Sequence, residues 1–480
     1  MSATEAGAPG RSIRTVLGSI RLAYLPVLVT YFAYGASSIT GVALLYLQKE
    51  TLHLSPADVA EVGFWATLPW STKMVVGAAA DTYPLFGSRR ASYLVVGVFV
   101  TALGYFGLAT VTTKGTYLVA SVLVATGFMI QDVIADALSA QVAETEEEVA
   151  QVQTLGRMAL LAGMIPVGYL GGVLAARLGP RGVMSVALLF PALVAFSALQ
   201  LRGGREPAAP TEHVEHLGAA SPGLVIGLGV AYALFGVTLQ MLAVPRAQEI
   251  VLVVSGVLLV VLLRRVGITR AVAVAAFVIF LFRATPNVGQ GYNYWAIDTL
   301  GFDQEFLGVL AQAGAIVGLV GLVVFRKRIV KAPVSTTLLW VTIAGTILYL
   351  PNVGLFYGLA DWLGVSPRTI AFVDTTISAP LTQLAMVPML TLIAKIAPKG
   401  AEATMFAIMA SLMNLALSAS ELFTRWLNEA FGVTQENYSN LGLLMIAVGV
   451  INVVPLLALP WLRRLEQADA LDRRPHGTVD

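Results

Sequence analysis

Long apolar stretches alternate with short polar segments along almost the whole chain. A stretch of about 20 mainly apolar residues is long enough to cross a bilayer as a helix. Fourteen such stretches follow one another, at about 22–47, 57–80, 91–111, 116–142, 151–176, 183–200, 222–244, 248–263, 271–297, 305–325, 334–356, 370–394, 403–424 and 441–462. This pattern predicts an all-α polytopic membrane protein, and a twelve-helix alternative omits 222–263 without changing the orientation of the other spans.

The composition agrees with a chain that lies mostly in lipid. Of its 480 residues 57% are hydrophobic and 12% are charged, against about 25% charged in soluble domains. The mean hydropathy is +0.78. The sequence contains no cysteine and no Gly-Lys dipeptide, and its four histidines lie in polar segments. We therefore expect no disulfide, metal site, cofactor, catalytic centre or nucleotide-driven pump.

The distribution of Lys and Arg predicts the orientation. With the N-terminus in the cytoplasm, inside segments hold twenty of the 30 basic residues and outside segments hold seven. An excess of basic residues on the cytoplasmic side is the usual pattern. The remaining three, Lys73, Arg157 and Arg283, lie within spans. Both termini are therefore expected in the cytoplasm, and the protein in the cell's inner membrane.

An internal repeat divides the chain. Residues 44–60 resemble residues 292–308 at a constant offset of 248, and each copy ends one span and begins the next. The predicted order is a tail 1–21, a six-helix half 22–200, a linker 201–221, two extra helices 222–267, a six-helix half 268–465 and a tail 466–480. Parallel six-helix repeats are one plan of secondary transporters.

Four segments resemble the folate–biopterin transporter family of the major facilitator superfamily. They read "GAAADTYPLFGSRRASYL", "QDVIADAL", "FRATPNVGQGYNYWAIDTLGFDQEFLG" and "PKGAEATMFAIMASLMNLALS". The resemblance extends from about residue 30 to 425 and implies the major facilitator fold with a folate- or pterin-like substrate. It also implies a cytoplasmic gate formed by Gly77, Asp81, Gly87, Arg89 and Arg90. Arg283 and the "PNVGQ" that begins at Pro286 depart from the family's pattern.

Three charged side chains form a candidate site in the first half. Asp132 and Asp136 are spaced i, i+4 and share one helix face, and Arg157 lies at a similar depth on the following span. We predict an ion pair between Asp136 and Arg157, which is either structural or exchanges partners during transport. One of the aspartates would carry a proton or hold the amide edge of a pterin ring. The side chain of Lys73 would either extend to the membrane surface or bind substrate.

Arg283 is the main candidate for binding substrate in the second half. Pro286 and Gly289 break the span just after it, and broken helices mark substrate sites in transporters. By the repeat, Arg283 matches Gly35, where we expect small residues and free space. The alternative is an ion pair with Asp132.

Other candidates are less specific. Asn287 follows the break, whereas Gln383 and Asn414 either contact substrate or join helices. Tyr292, Tyr294 and Trp295 are expected to form an interfacial belt, and the alternative is a stacking surface for a substrate ring.

Together these features predict a secondary active transporter of a folate- or pterin-like molecule that works by alternating access, coupled to protons or by exchange. Its partners would be the lipid bilayer and the small-molecule substrate, with no nucleic acid. The alternatives are a transporter of muropeptides or another organic anion, and a membrane receptor with a transporter-like fold.

Overall fold

The computed structural model describes residues 21–143, 145–201, 222–266, 269–396 and 402–472. Helices make up nearly all of these ranges, and no strand occurs within them, which confirms the predicted all-α class. The linker 202–221, the tail 473–480 and residues 1–20 lie outside the described residues. The domain limits therefore stay predictions.

The first half contains eight α-helices. They are α1 (Leu25–Ala36), α2 (Thr40–Tyr46), α3 (Pro56–Thr67), α4 (Lys73–Thr82), α5 (Ala91–Thr110), α6 (Lys114–Gln141), α7 (Glu146–Ala187) and α8 (Leu189–Gln200). The extra pair is α9 (Pro222–Met241) and α10 (Ala247–Val266). A π-helical turn, Leu47–Thr51, follows α2, and a 3₁₀ turn, Leu68–Thr72, separates α3 from α4.

The second half contains ten α-helices. They are α11 (Arg270–Arg283), α12 (Gly291–Leu300), α13 (Gln304–Lys331), α14 (Val334–Phe356), α15 (Leu359–Leu363), α16 (Pro367–Leu384), α17 (Met386–Ile396), α18 (Glu402–Phe431), α19 (Leu441–Ile451) and α20 (Leu459–Asp472).

Several predicted spans do not correspond to single, unbroken helices. Ten helical segments of the described chain are long and apolar enough to cross a membrane. The predicted spans 57–80, 271–297 and 370–394 are each split into shorter helices. The predicted spans 151–176 and 183–200 are separated by a break within α7 at Gly179, whose φ of +67° is not helical. The total of fourteen spans therefore stays a prediction.

Local capping explains where several helices begin. Ser55, Thr113 and Ser366 each accept a hydrogen bond from the backbone N–H three residues later. Such a cap satisfies a donor that the first helical turn leaves free, which is worth about 1 kcal/mol. These three caps lie at one end of the bundle, which we call the outer side after the orientation predicted from charge.

Glycines bring α1 and α7 into direct backbone contact. A methyl group on Gly35 would lie 1.9 Å from the carbonyl oxygen of Leu160, and one on Gly163 would lie 2.3 Å from that of Phe32. Small residues allow this close approach between membrane helices. The expectation of free space around Gly35 is therefore wrong, because α7 occupies it.

This contact makes Gly35→Ala destabilising. Because the obstructing atoms belong to the backbone, α1 or α7 must shift, and overpacking of this kind costs about 1–3 kcal/mol. We expect a lower midpoint of thermal unfolding for the purified protein in detergent. Gly41→Ala in α2 is the matched control, since no atom lies within 4 Å of its added methyl group. An unchanged midpoint for Gly35→Ala would contradict the packing described.

Two antiparallel helix pairs join the halves. In the pair α3–α18, Asn414 donates to the carbonyl oxygen of Trp70 at 3.0 Å, and Arg425 lies 3.6 Å from Glu61 nearer the outer side. In the pair α7–α13, Gly172 and Gly308 are in contact through their backbones. Both interfaces run from the outer side towards the middle of the bundle, so the outer side is closed.

The extra helices lie beside the α3–α18 pair and contact both halves. Gln248 at the start of α10 donates to the carbonyl oxygen of Glu61 at 3.1 Å and accepts from Arg425 at 2.9 Å. Val251 on α10 belongs to the same buried cluster as Phe64 on α3 and Met409 on α18. The helix α10 thus covers the seam between the halves on this side.

Candidate functional site

The chain is unwound between α11 and α12, at residues 284–290. Pro286 cannot donate a backbone hydrogen bond, and Gly289 has a φ of +68°, a conformation that favours glycine. The freed backbone groups are satisfied by side chains of α18, which are spaced one turn apart. Ser420 donates to the carbonyl oxygen of Thr285 at 2.6 Å, the N–H of Asn287 donates to Thr424 at 3.0 Å, and Asn428 donates to the carbonyl oxygen of Val288 at 3.2 Å.

Arg283 is the last residue of α11, immediately before this break. Its side chain is partly buried, and its Nε is fully buried without a hydrogen-bond partner. The described residues provide no ion pair for it either. A guanidinium in the membrane normally faces a partner or water, so Arg283 is a cation ready to receive an anionic group.

Lys73 and Asp132 form an ion pair between α4 and α6. The ammonium group also lies 5.0 Å from the centre of the Trp70 ring. Asp132 therefore does not pair with Arg283, and Lys73 turns into the bundle instead of reaching the membrane surface. This pair places a carboxylate and an ammonium group beside an aromatic ring.

The predicted ion pair between Asp136 and Arg157 is wrong. Asp136 Oδ1 accepts from the hydroxyl of Tyr31 at 2.5 Å, and the described part of the chain contains no ion pair between the two. The physical reason is that α1 packs against α7, with the ring of Tyr31 against Gly156. Equal depth on consecutive helices does not make two side chains partners: α7 meets α6 through Gln153, which donates to Ser139 at 2.6 Å, while Tyr31 of α1 donates to the Asp136 carboxylate.

Asp136 and Arg157 remain available to a ligand. Both residues are exposed, although each lies well inside its helix. Arg157 has neither a hydrogen bond nor an ion pair with any described residue, and it acts electrostatically on Asp132. Charged groups at this depth persist where they meet water or protein. We therefore place both at the wall of a polar cavity.

Aromatic rings line the same region. Tyr34 on α1 stacks on Trp70 with ring centres 6.0 Å apart and planes inclined by 26°. Tyr34 also lies 5.0 Å from the Phe128 ring on α6. These rings, together with the Lys73–Asp132 pair, give the first half a flat apolar surface beside fixed charges.

The residues predicted as a cytoplasmic gate meet at the inner end of the first half. Arg90 donates to Asp81 at 2.7 Å and to Gln141 at 3.1 Å, which ties the ends of α4 and α6 together. Gly87 has a φ of +79°, so the loop turns where glycine is favoured. Gly77 lies within α4, and Arg89 follows the turn. Whether this network acts as a gate stays a prediction.

At the outer side the two copies of the repeat meet each other. Lys49 lies 2.7 Å from Asp298, and the Tyr46 hydroxyl donates to the carbonyl oxygen of Phe302 at 3.2 Å. Tyr294 and Trp295 are 0% and 5% exposed. The expected aromatic belt is therefore wrong for these two, which pack inside the closure.

A small cavity lies between the halves just inside this closure. Its volume is about 200 Å³, and Ser38, Gly168, Gln290 and Asn293 are among the residues that line it. Sites for whole organic ligands usually measure about 300–1,000 Å³. The cavity thus has room for part of a ligand when the outer side is closed.

Asn287 and Asn414, two further predicted site residues, are not among the residues that line this cavity. The Asn287 Oδ1 accepts from the N–H of Gly289 at 2.6 Å, so it stabilises the break. Asn414 joins the halves through Trp70. The side chain of Gln383 lies outside the described residues.

Sequence reasoning missed two groups of residues. Tyr31 was hidden in an apolar run, and no pattern marked it as the partner of Asp136. The one-turn spacing of Ser420, Thr424 and Asn428 is visible in the sequence, and it could have indicated a polar stripe on α18.

The membrane-crossing helices, the two antiparallel helix pairs that join the halves and the charged side chains within the helices are features of a multi-pass membrane transporter with the major facilitator fold. Similar solved structures include the nucleoside transporter NupG, with a TM-score of 0.64, 12% identity and 92% and 99% of the two chains covered. A POT family transporter in complex with a thioalcohol-conjugated peptide has a TM-score of 0.68 at 15% identity, with 92% and 96% covered. These likenesses show the fold alone.

The chain belongs to the BT1 family, which it matches over residues 35–478. It is 28% identical over 459 residues to a folate-biopterin transporter of Synechocystis, with 93% of this chain and 82% of that protein covered. It is 21% identical over 435 residues to folate transporter 1 of Plasmodium falciparum, with 88% and 76% covered. The family prediction is confirmed, and the chain is a transporter rather than an enzyme.

Proposed function

We propose that this protein is a secondary active transporter of a folate- or pterin-like molecule and works by alternating access. The names of its relatives indicate the substrate class. The observation that carries the proposal is the unpaired guanidinium of Arg283 at the break between α11 and α12. Fixed cations at a helix break suit an anionic substrate group.

The two unpaired guanidinium groups suit the tail of folate. A folate ends in a glutamate with two carboxylates, and each carboxylate can accept two parallel hydrogen bonds from a guanidinium. Arg283 and Arg157 each lack an ion pair with a described residue. We assign the tail to these two side chains, one from each half, so that binding would draw the halves together.

The pterin ring suits the first half. Asp136 is exposed, and it can accept from the amino group and ring N–H of a pterin. The rings of Tyr34 and Trp70 offer a stacking surface at the same end of the cavity. Asp132 already pairs with Lys73. It would help to position the amino group and ring N–H of the pterin without accepting a hydrogen bond from them.

Transport of an anion into a negative-inside cell needs a coupled cation or an exchanged anion. Asp132 and Asp136 stay the sequence-based candidates for carrying a proton. We also propose the orientation predicted from charge, with both termini in the cytoplasm and the protein in the inner membrane. The network of Asp81 and Arg90 would then stabilise the inner end of the first half as that end opens and closes.

The proposal predicts saturable uptake of labelled folate by proteoliposomes that contain the purified protein. An imposed inward proton gradient should increase the initial rate, and unlabelled pterin should compete. Empty liposomes under the same gradient are the control. If uptake is absent under both gradient directions, folate is the wrong substrate, and another organic anion or a muropeptide should be tested in its place.

A further inference from the structure

Glu421 is an acidic residue in the membrane that the proposed site does not use. It lies on α18, roughly 15 Å from the outer end of that helix at Phe431. A methyl group added to Gly63 of α3 would lie 2.8 Å from its Oε2. The carboxyl group of Glu421 is therefore packed directly against the other half, between the Asn414–Trp70 and Arg425–Glu61 contacts.

The carboxyl group of Glu421 has no partner in this position. Among the described residues it forms neither a hydrogen bond nor an ion pair. Among side chains that the structure describes, the charged ones on its own helix and on those packed against it are Asp58, Glu61, Glu249, Arg264, Arg270, Arg283, Lys395, Arg425 and Glu429. Those nearest the outer side are engaged elsewhere: Lys114 holds Glu61, and Arg425 pairs with Glu429.

The side chain of Glu421 is partly buried against α3 and has no counter-charge there among the described residues, which disfavours an ionised carboxylate. Removing a carboxylate from water without a hydrogen bond or a counter-charge costs so much that the group takes up a proton instead. The same group would be ionised when α3 and α18 separate and water reaches it. Closure of this interface and protonation of Glu421 are therefore linked, and each favours the other.

We infer that Glu421 is a proton-binding site that controls closure of the outer side. A proton from the external water binds the carboxylate while the outer side is open, which allows α3 and α18 to come together. The proton stays on the carboxyl group while the two helices remain in contact. External acidity thus favours the closed state, and deprotonation favours opening.

This inference rests on the proposed function only in assuming that the outer side opens during transport. It adds a site to the two candidates, Asp132 and Asp136. Those aspartates contact Lys73 and Tyr31 within the first half, whereas Glu421 lies where the halves must part. The two assignments therefore give different results in one experiment.

The experiment measures how pH changes the outer closure without any substrate. Spin labels are attached through Thr112→Cys and Glu436→Cys, two exposed positions in outer loops of opposite halves. The natural chain has no cysteine, so labelling is specific. Distances between the labels are measured in nanodiscs by pulsed electron resonance from about pH 6 to about pH 9.

We expect the short-distance population to fall as the pH rises. One proton bound only in the closed state changes the ratio of closed to open molecules by up to about tenfold per pH unit. Glu421→Gln keeps the size of the side chain but cannot ionise, so it should stay closed over the whole range. Glu429→Gln, two turns away on the same helix and paired with Arg425, is the matched control and should behave like the natural chain.

Two results from the variants would overturn the inference. One is a pH response that Glu421→Gln retains, and the other is a response that disappears in Asp132→Asn or Asp136→Asn but not in Glu421→Gln. A pH response that follows Glu421 in a protein that transports no folate would leave the inference standing and remove only the proposed substrate. A population that does not change with pH in the natural chain would also contradict it.

Discussion

Arg283→Gln should reduce folate uptake more than any other single substitution in the cavity. The change removes a charged donor that has no partner within the described protein, so little native structure depends on it. A hydrogen bond to a charged group contributes about 1.5–3 kcal/mol. We therefore expect a roughly 10- to 100-fold rise in the substrate concentration for half-maximal uptake.

The measurement is the initial rate of uptake against folate concentration in proteoliposomes, beside thermal stability without ligand. Arg177→Gln is the matched control, because Arg177 is exposed on α7 and lies towards the outer end of that helix. Arg283→Lys keeps the charge without the planar fork and should give an intermediate result. If Arg283→Gln unfolds the protein while Arg177→Gln does not, the arginine is structural rather than a ligand for substrate.

Joining the two halves at the outer side should stop transport completely. Lys49 and Asp298 form an ion pair across the closure, and Lys49→Cys with Asp298→Cys places two thiols there in an otherwise cysteine-free chain. A short bis-methanethiosulfonate reagent would hold the outer side closed. Because alternating access requires this side to open, uptake should fall to the level of empty liposomes and return on reduction.

The uncrosslinked double variant separates this effect from loss of the ion pair. A solvent-exposed ion pair contributes about 0–1 kcal/mol, so transport should persist before the reagent is added. Each single variant treated with the same reagent should also transport. Uptake that continues after complete crosslinking would show that the cycle does not require the outer closure to open.

The architecture was predictable because the bilayer imposes a simple rule on the sequence. Each crossing needs a long apolar run, and the excess of basic residues predicts its direction. Spans that the structure divides, such as 57–80, were counted as one because hydropathy does not respond to a single Pro69. The break at Gly179 was predicted, because Arg177, Pro180 and Arg181 interrupt the apolar run there.

The candidate site was harder to predict because it depends on which helices are neighbours. The importance of Arg283 follows from charge and from the nearby proline, both visible in the sequence. The pairing of Asp136 with Tyr31 depends on α1 lying against α7, which Gly35 and Gly163 make possible. Glu421 is missed for a related reason: only the packing of α3 against α18 shows that its carboxyl group lies against the other half.

Because α10 covers the α3–α18 seam, the two flanks of the transporter differ in how far the seam between the halves is exposed to lipid. When the outer side opens, the α3–α18 seam parts beneath α10, which contacts both halves through Gln248. The related seam between α7 and α13 has no such cover from the described part of the extra helices. An amphiphilic molecule dissolved in the bilayer would therefore meet a lateral entrance to the cleft on one flank only.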